Sequence, residues 1–515
     1  MLNHLTKYNI YRKVSFMTNK VTIIKIAGLS LCVLLLSLGL YAYYAHSITI
    51  KSIKLQALNN YAFQDNIIID LDKAAAIEVK YWKDGSSEKF RTITTSKGLS
   101  HNVNLLLLET NTTYKYQVII KRFVNIYSEV FTFKTRKQSP WLVHNWVNKE
   151  HSDNAASLND GLVLLCNARL PGYIAMVDGQ GAIRWYWQID DIGVRAATFT
   201  PRGTILAMLR PPMKDVIDDT PKDRAAILSE VKKPIRRGEM GFAGGTGIAE
   251  IDPTGKLLWR FDIDKATKGK YKIIHHDVRM DKNGHIVTLI RNTKIIDMAT
   301  VGGTGIDTLG GDGILVMDTT GKELWKWSAW DVWNIAKDPF IKRFAYDRFH
   351  INALNFDKDG NYLVSVAIED QIWKINAKTG KLMWKLGKGG DFKMDTTSYF
   401  SFQHSVHINP DGDLMLFDNS LWKKVSGGLS FTLDTKNMTA TAKIKATLPK
   451  SKYTARMGSA YLLPNGNLLQ TSSKTGSVMV TDKFGKILWE LNCYFVPYRA
   501  EFVSVSFWHK YFKKD

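Results

Sequence analysis

The sequence predicts an all-β protein, a six-bladed β-propeller preceded by a β-sandwich and an N-terminal transmembrane helix. Three observations carry this expectation. A strand–turn–strand unit ending in tryptophan recurs from about residue 160, short alternating strands precede it, and an uncharged apolar run of 19 residues, Ile26 to Tyr44, stands near the start. The 515 residues are 45% hydrophobic and 23% charged, enough for several domains and unlike a disordered chain. The expected boundaries are 1–46 for the cytoplasmic N-terminus and membrane helix, 47–138 for the sandwich and 139–159 for a linker. The propeller follows over 160–497, with 498–515 as a C-terminal tail.

The apolar run is long enough to span a bilayer as a helix. Lys7, Arg12, Lys13, Lys20 and Lys25 before it place the N-terminus in the cytoplasm and the rest of the chain outside. A cleaved signal peptide is the alternative, although no small-x-small cleavage site follows. Leu31 before Cys32 is too large for lipoprotein processing, and Cys166 and Cys493 fit no metal spacing. No metal and no cofactor are expected.

Between residues 47 and 138 the clearest strand holds Tyr114, Tyr116 and Val118 on one face, with Leu108 and Thr112 in the turn before it and a second strand over 129–135. This pattern resembles the tyrosine-corner region of a fibronectin type III-like β-sandwich. Such a module spaces or docks, and no chemistry is assigned to it.

The propeller rests on its repeat. Asp178 to Gly181 and Trp185, Asp252 to Gly255 and Trp259, and Asp318 to Gly321 and Trp325 are copies of one unit. Asn376 to Gly380 and Trp384, and Asp482 to Gly485 and Trp489, continue it, while a sixth copy at Asp434 lacks the tryptophan. A second hairpin lies between them, with turn glycines at Gly203, Gly284, Gly360, Gly412 and Gly466. Asn-Gly and Asp-Gly favour such tight turns because both residues tolerate positive φ. Two alternating hairpins make a four-stranded blade, and six blades enclose an axial channel. The tryptophans are read as packing between blades.

The formal charge of +22 draws anions. No nucleic-acid-binding motif accompanies it and the lysines are scattered, so no nucleic-acid partner is expected. Counting back from each turn glycine brings out a sharper pattern. Eight residues before Gly203, Gly284 and Gly412 stand Arg195, His276 and His404, and ten before Gly360 and Gly466 stand His350 and Arg456. Offsets of eight and ten share a strand face, so five cationic or titratable groups occupy corresponding places in five blades.

With these residues on the page, the sequence resembles a known family. His275-His276-Asp277, Phe349-His350-Ile351-Asn352 and Gln403-His404 carry the likeness, together with Phe417-Asp418-Asn419, Met457-Gly458-Ser459-Ala460 and Leu463-Pro464-Asn465-Gly466-Asn467. They are similar to the bacterial arylsulfate sulfotransferases over most of the propeller. The resemblance implies transfer of a sulfuryl group from an aryl sulfate to a phenolic acceptor through a sulfohistidine, without a nucleotide sulfate donor. It further implies His404 as nucleophile, with His350, His276 and His275 in support. Arg456, Arg195, Asn352, Gln403 and Asn419 are expected to bind the substrate, the two asparagines as orienting groups.

Two departures matter. The family arginine expected after the second histidine motif is replaced by Ala367 or its neighbours, and Glu369 nearby disfavours an anion; Arg456 or Arg195 is expected to replace the charge. The disulfide some members carry near the nucleophile has no cysteines here, so the loop Ser420 to Gly428 must be held otherwise. Two rival readings stand. One is a non-catalytic propeller that binds an anionic ligand or a partner protein. The other is a quinoprotein dehydrogenase, which calls for eight blades and calcium-binding acids.

Overall fold

The computed structural model describes residues 25–39, 47–57, 64–138, 142, 145–151, 155–158, 160–211, 244–338, 341 and 346–515. Residues 25–39 form a helix exposed on every side. Among the described residues no helix is long and apolar enough to cross a membrane. Lys7, Arg12, Lys13, Lys20 and the end of the apolar run, residues 40–44, lie outside the described residues.

The N-terminal unit is antiparallel and organised by one long strand, Asp65–Lys83. Its first half pairs with Ile50–Ala57 and Gly98–Leu105, its second half with Phe90–Thr92 and Thr113–Lys121, and Ile126–Lys134 pairs with the last of these. The alternation read from the sequence holds, since Tyr114, Tyr116, Val118 and Leu108 are all buried in its core. The Tyr114 hydroxyl accepts a hydrogen bond from the Glu109 N–H at 3.0 Å, which closes the turn before the strand.

Six antiparallel sheets form the propeller. Their axial strands are Glu501–Val503, Gly193–Phe199, Ile274–Met280, Ile351–Phe356, His404–Ile408 and Ser459–Leu462, here blades 1 to 6 in that order. The repeated acidic turn works as its chemistry requires. Asp178 Oδ1 accepts from the N–H groups of Gln180 and Ala182, and Gly181 closes the turn at φ +82°. The tryptophans clasp neighbouring blades: Trp185 Nε1 donates to Pro253 O at 2.8 Å, and Trp489 Nε1 to Gly179 O at 2.7 Å. In blade 3 this bond is made by Trp327, to Gly380 O, instead of the repeat residue Trp325, which packs against Tyr362.

The segment expected as a tail is instead a clamp. Residues 501–503 pair with Leu162–Asn167 and complete blade 1, so the first blade is built from both ends of the repeat region. Phe512–Lys514 then pairs with Phe90–Thr92 of the N-terminal unit, and Trp508 is buried in one cluster with Leu106, Trp185 and Trp187. The apolar side chains of this segment give it the physical reason to fold back, because burying them stabilises the contact. The expected linker likewise supplies a strand, Asn145–Val147, at the outer edge of blade 6.

Candidate active site

Every axial strand begins at the same end of the channel, and there the ladders are irregular. Register shifts fall between Val194 and Ala196, His275 and Val278, Ile351 and Ala353, and His404 and His407. Such bulges re-aim side chains, and they place both His275 and His276 near the axis where strict alternation would turn one away. Left-handed φ values at His276, His350, Phe402, Ser405 and Met457 lie at the same end. Each costs roughly 1–3 kcal/mol for a residue that is not glycine and persists only where its surroundings enforce it.

His404 is buried at the start of its strand and its orientation is determined by its neighbours. Asn419 donates through Nδ2 to the carbonyls of Thr454 and Met457, both at 2.8 Å, so its Oδ1 must face His404. His404 Nδ1 therefore carries the proton, given to Asn419 Oδ1 at 2.7 Å and to Phe402 O at 3.0 Å. That leaves Nε2 as an acceptor on the far side of the ring, where it takes a hydrogen bond from the Met457 N–H at 3.2 Å. Burial, with the charges of His350 and Arg499, holds the imidazole at a pKa of about 3 against the bonds from Asn419 and Phe402. His404 is thus a neutral base across the physiological range.

His350 is tuned the other way. Burial disfavours its charge, but the Asp347 carboxylate at 2.6 Å from Nδ1 and the nearby Asp312 together raise its pKa above the ordinary value. His276 lies between, its ring 5.3 Å from that of His350, and burial plus the surrounding histidines and Arg195 push its pKa well down. His275 Nδ1 meets His276 Nδ1 at 2.8 Å while its Nε2 stands 3.4 Å from Asp312. Arg291 joins the two carboxylates, at 2.9 Å from Asp312 and 2.6 Å from Asp347.

Around the histidines lie guanidinium groups. Arg195 is stacked 4.1 Å over the Tyr498 ring, its Nε buried without a hydrogen-bond partner, and burial together with Arg210, Arg499 and Arg456 lowers its pKa to about 10. Arg456 is half-buried close enough to act on it. Arg499, which sequence reasoning missed, bonds Asp277 with both terminal nitrogens at 3.2 and 3.0 Å and reaches His276 O at 3.3 Å. One layer down the channel, Thr198, Arg279, Tyr461 and Glu501 from four blades bond to one another.

Three expectations need correction. Gln403 is fully buried with its amide donating to Ser365 Oγ and Gln371 O, so it ties blade 5 to blade 4 and does not reach the channel. Asn352 Nδ2 stands 3.4 Å from His404 Nδ1, and because both groups are donors this is proximity without orientation. Glu369 is drawn away as an ion partner of the buried Arg348, at 2.6 Å, a guanidinium it shares with Asp338. Ala367 is buried in a short turn beside it and supplies no charge.

The loop after Asn419 is fastened by hydrogen bonds in place of a disulfide. The Ser420 N–H bonds Asp418 Oδ1 and Ser401 O, the Leu421 N–H bonds Ser401 Oγ, and Ser426 Oγ accepts from the Thr454 N–H. Cys166 and Cys493 are both buried and are not joined in a disulfide.

Fold and site together define a six-bladed propeller with a buried histidine and arginine centre on its axis. A family model described as arylsulfotransferase (ASST) matches residues 235–494, half of the chain. The chain belongs to the arylsulfotransferase (ASST) family. No curated protein matches it. Among solved structures it is similar to a protein of unknown function from Bacteroides caccae, with 14% identity, a TM-score of 0.38, and 67% of this chain and 99% of that chain covered. It is also similar to selenomethionine-substituted virginiamycin B lyase from Staphylococcus aureus, at 10% identity and a TM-score of 0.32, with 58% of this chain and 70% of that chain covered.

Proposed function

We propose that the protein moves a sulfuryl group from an aryl sulfate to a phenol through a sulfohistidine at His404. The observation that carries this reading is the neutral imidazole of His404, its proton fixed on Nδ1 and its Nε2 lone pair directed away from Asn419. Nε2 gives up its hydrogen bond from the Met457 N–H and attacks sulfur, the bond from sulfur to the aryl oxygen breaks, and the electron pair leaves on that oxygen. His350, whose protonated form is favoured by Asp347 and Asp312, gives its proton to the departing phenolate. A second phenol then returns its proton to His350, its oxygen attacks sulfur, and the N–S bond breaks to restore His404. Arg195 and Arg456 hold the sulfate oxygens, whose charge is spread as in phosphoryl transfer. The test is incubation with a chromogenic aryl sulfate, with and without added phenol. Phenolate release that requires the acceptor supports transfer, whereas silence across a range of donors leaves the anion-binding propeller as the better reading.

Two further results follow from the charges. Arg195→Ala with Arg456→Ala removes both cations proposed to replace the family arginine, so kcat/KM for aryl sulfates is expected to fall roughly 10²-fold or more; wild-type rates would refute the replacement. Asp347→Asn removes the main attraction that raises His350. His350 acts as an acid only while protonated, so activity is lost as pH rises through its folded pKa. The variant should move that alkaline limb to lower pH, read from the pH profile of kcat. An unmoved limb would assign the proton to another group.

We infer also that the N-terminal run anchors the protein in a membrane, with the propeller outside the cytoplasm and the N-terminal unit as a fibronectin type III-like spacer. The anchor is supported by a helix apolar all round and exposed all round, which water alone does not stabilise. The spacer is supported by the bond from the Glu109 N–H to the Tyr114 hydroxyl.

A further inference from the structure

We propose that Trp422 receives the aromatic ring of the substrate at the mouth of the site, and that Asp370 fixes it there; this deepens the sulfuryl-transfer reading and rests on it. His404 pairs with Phe417, so the loop that follows Asp418 leaves blade 5 at the end of the channel where His404 stands. Trp422 lies on this loop with 82% of its surface exposed, while Trp185, Trp373 and Trp489 are buried in the blades. The fold therefore makes no use of that indole in its core.

The indole is displayed on a fixed support. Besides the bonds that hold Ser420, Leu421 and Ser426, the Lys424 N–H donates to Ser420 O at 2.9 Å. Trp422 Nε1 reaches Asp370 Oδ2 at 3.5 Å, and Asp370 Oδ1 accepts the Phe402 N–H at 2.8 Å. Phe402 in turn stacks on the His350 ring at 5.3 Å and accepts the Nδ1 proton of His404. Asp370 and Phe402 both hold left-handed φ of +53°. One carboxylate thus links an exposed aromatic face to the residue that sets both histidines. An aryl sulfate has an anionic end and a flat apolar end, and the guanidiniums and the indole offer a complement to each.

The test uses the full chain with phenyl sulfate and 2-naphthyl sulfate as donors and one fixed phenol as acceptor. Trp422→Ala should raise KM roughly three- to tenfold while kcat changes less than about twofold, with the larger effect on the naphthyl donor because it offers more ring to stack. Trp422→Phe should recover most of the loss. Equal KM values in wild type and Trp422→Ala for both donors would overturn the proposal. If the wild type transfers nothing, the transfer reading fails on its own, and calorimetric binding of 2-naphthyl sulfate decides Trp422 separately. A Kd raised three- to tenfold by Trp422→Ala supports it, and equal Kd values, or no binding by either protein, overturn it.

Discussion

His404→Ala is expected to abolish sulfuryl transfer, with kcat reduced roughly 10⁴-fold or more, as for loss of a nucleophile elsewhere. Neither neighbouring imidazole is equipped to take over. His350 is bound to Asp347 and prefers the protonated form, which has no lone pair to offer. His276 is neutral but shares its Nδ1 with His275 and has no asparagine to fix its proton. The shell around the lost ring should remain, because Asn419 keeps its bonds to Thr454 and Met457. The measurement is donor turnover, joined to trapping of protein-bound sulfate from a radiolabelled donor in the absence of acceptor. A variant that still took up label, or kept more than about a tenth of the wild-type rate, would place the nucleophile elsewhere.

Arg499→Ala should have the largest effect on stability, a loss of about 1.5–3 kcal/mol, because it removes two charge-assisted hydrogen bonds from the buried Asp277 and leaves that carboxylate only the guanidinium of Arg279, 3.1 Å away and shared with Glu501. Asp277 also accepts the Leu354 N–H at 3.1 Å, so this one pair joins residues of blades 3 and 4 to the segment entering blade 1. Activity should fall with it, since Arg499 reaches the His276 carbonyl and its charge acts on His404. Adding Asp277→Asn to Arg499→Ala should restore part of the stability, because the double variant no longer buries a carboxylate short of hydrogen-bond donors. Urea unfolding followed by tryptophan fluorescence measures all three. A single variant with the wild-type midpoint would show that the pair contributes nothing.

Much of this architecture is legible in the chain because turns have strict chemistry. The recurring aspartates and glycines mark hairpins whatever surrounds them, and the tryptophans follow at a fixed distance. Counting back from the turn glycines finds Arg195, His276, His350, His404 and Arg456, yet cannot find Arg499. In five blades the axial strand is followed by its own turn, but in blade 1 it is the last propeller strand in the chain and no such turn follows it. Arg499, two residues before that strand, occupies the sixth place in the series. Bulges explain why His275 and His276 both contribute, which a period of two does not allow. Gln403 stands just before the strand that His404 opens and turns to Ser365 and Gln371 of blade 4, a direction its adjacency to His404 does not reveal. Arg291 and Asp312 are cross-strand partners in the hairpin of Ile286–Asp297 and Ile306–Met317, a register that no motif marks, and Asp347 joins them from the connection before blade 4 through tertiary structure alone.

Ring closure by residues 501–503 also sets when the centre can exist. Those residues leave the ribosome after every other propeller strand, and Tyr498 and Arg499 travel with them. A nascent chain carrying five finished sheets would hold its histidines in an open arc, with Asp277 lacking one of its two guanidinium partners and Arg195 lacking the ring beneath it. The centre is therefore incomplete until synthesis has passed residue 503, when the last axial strand can pair with Leu162–Asn167.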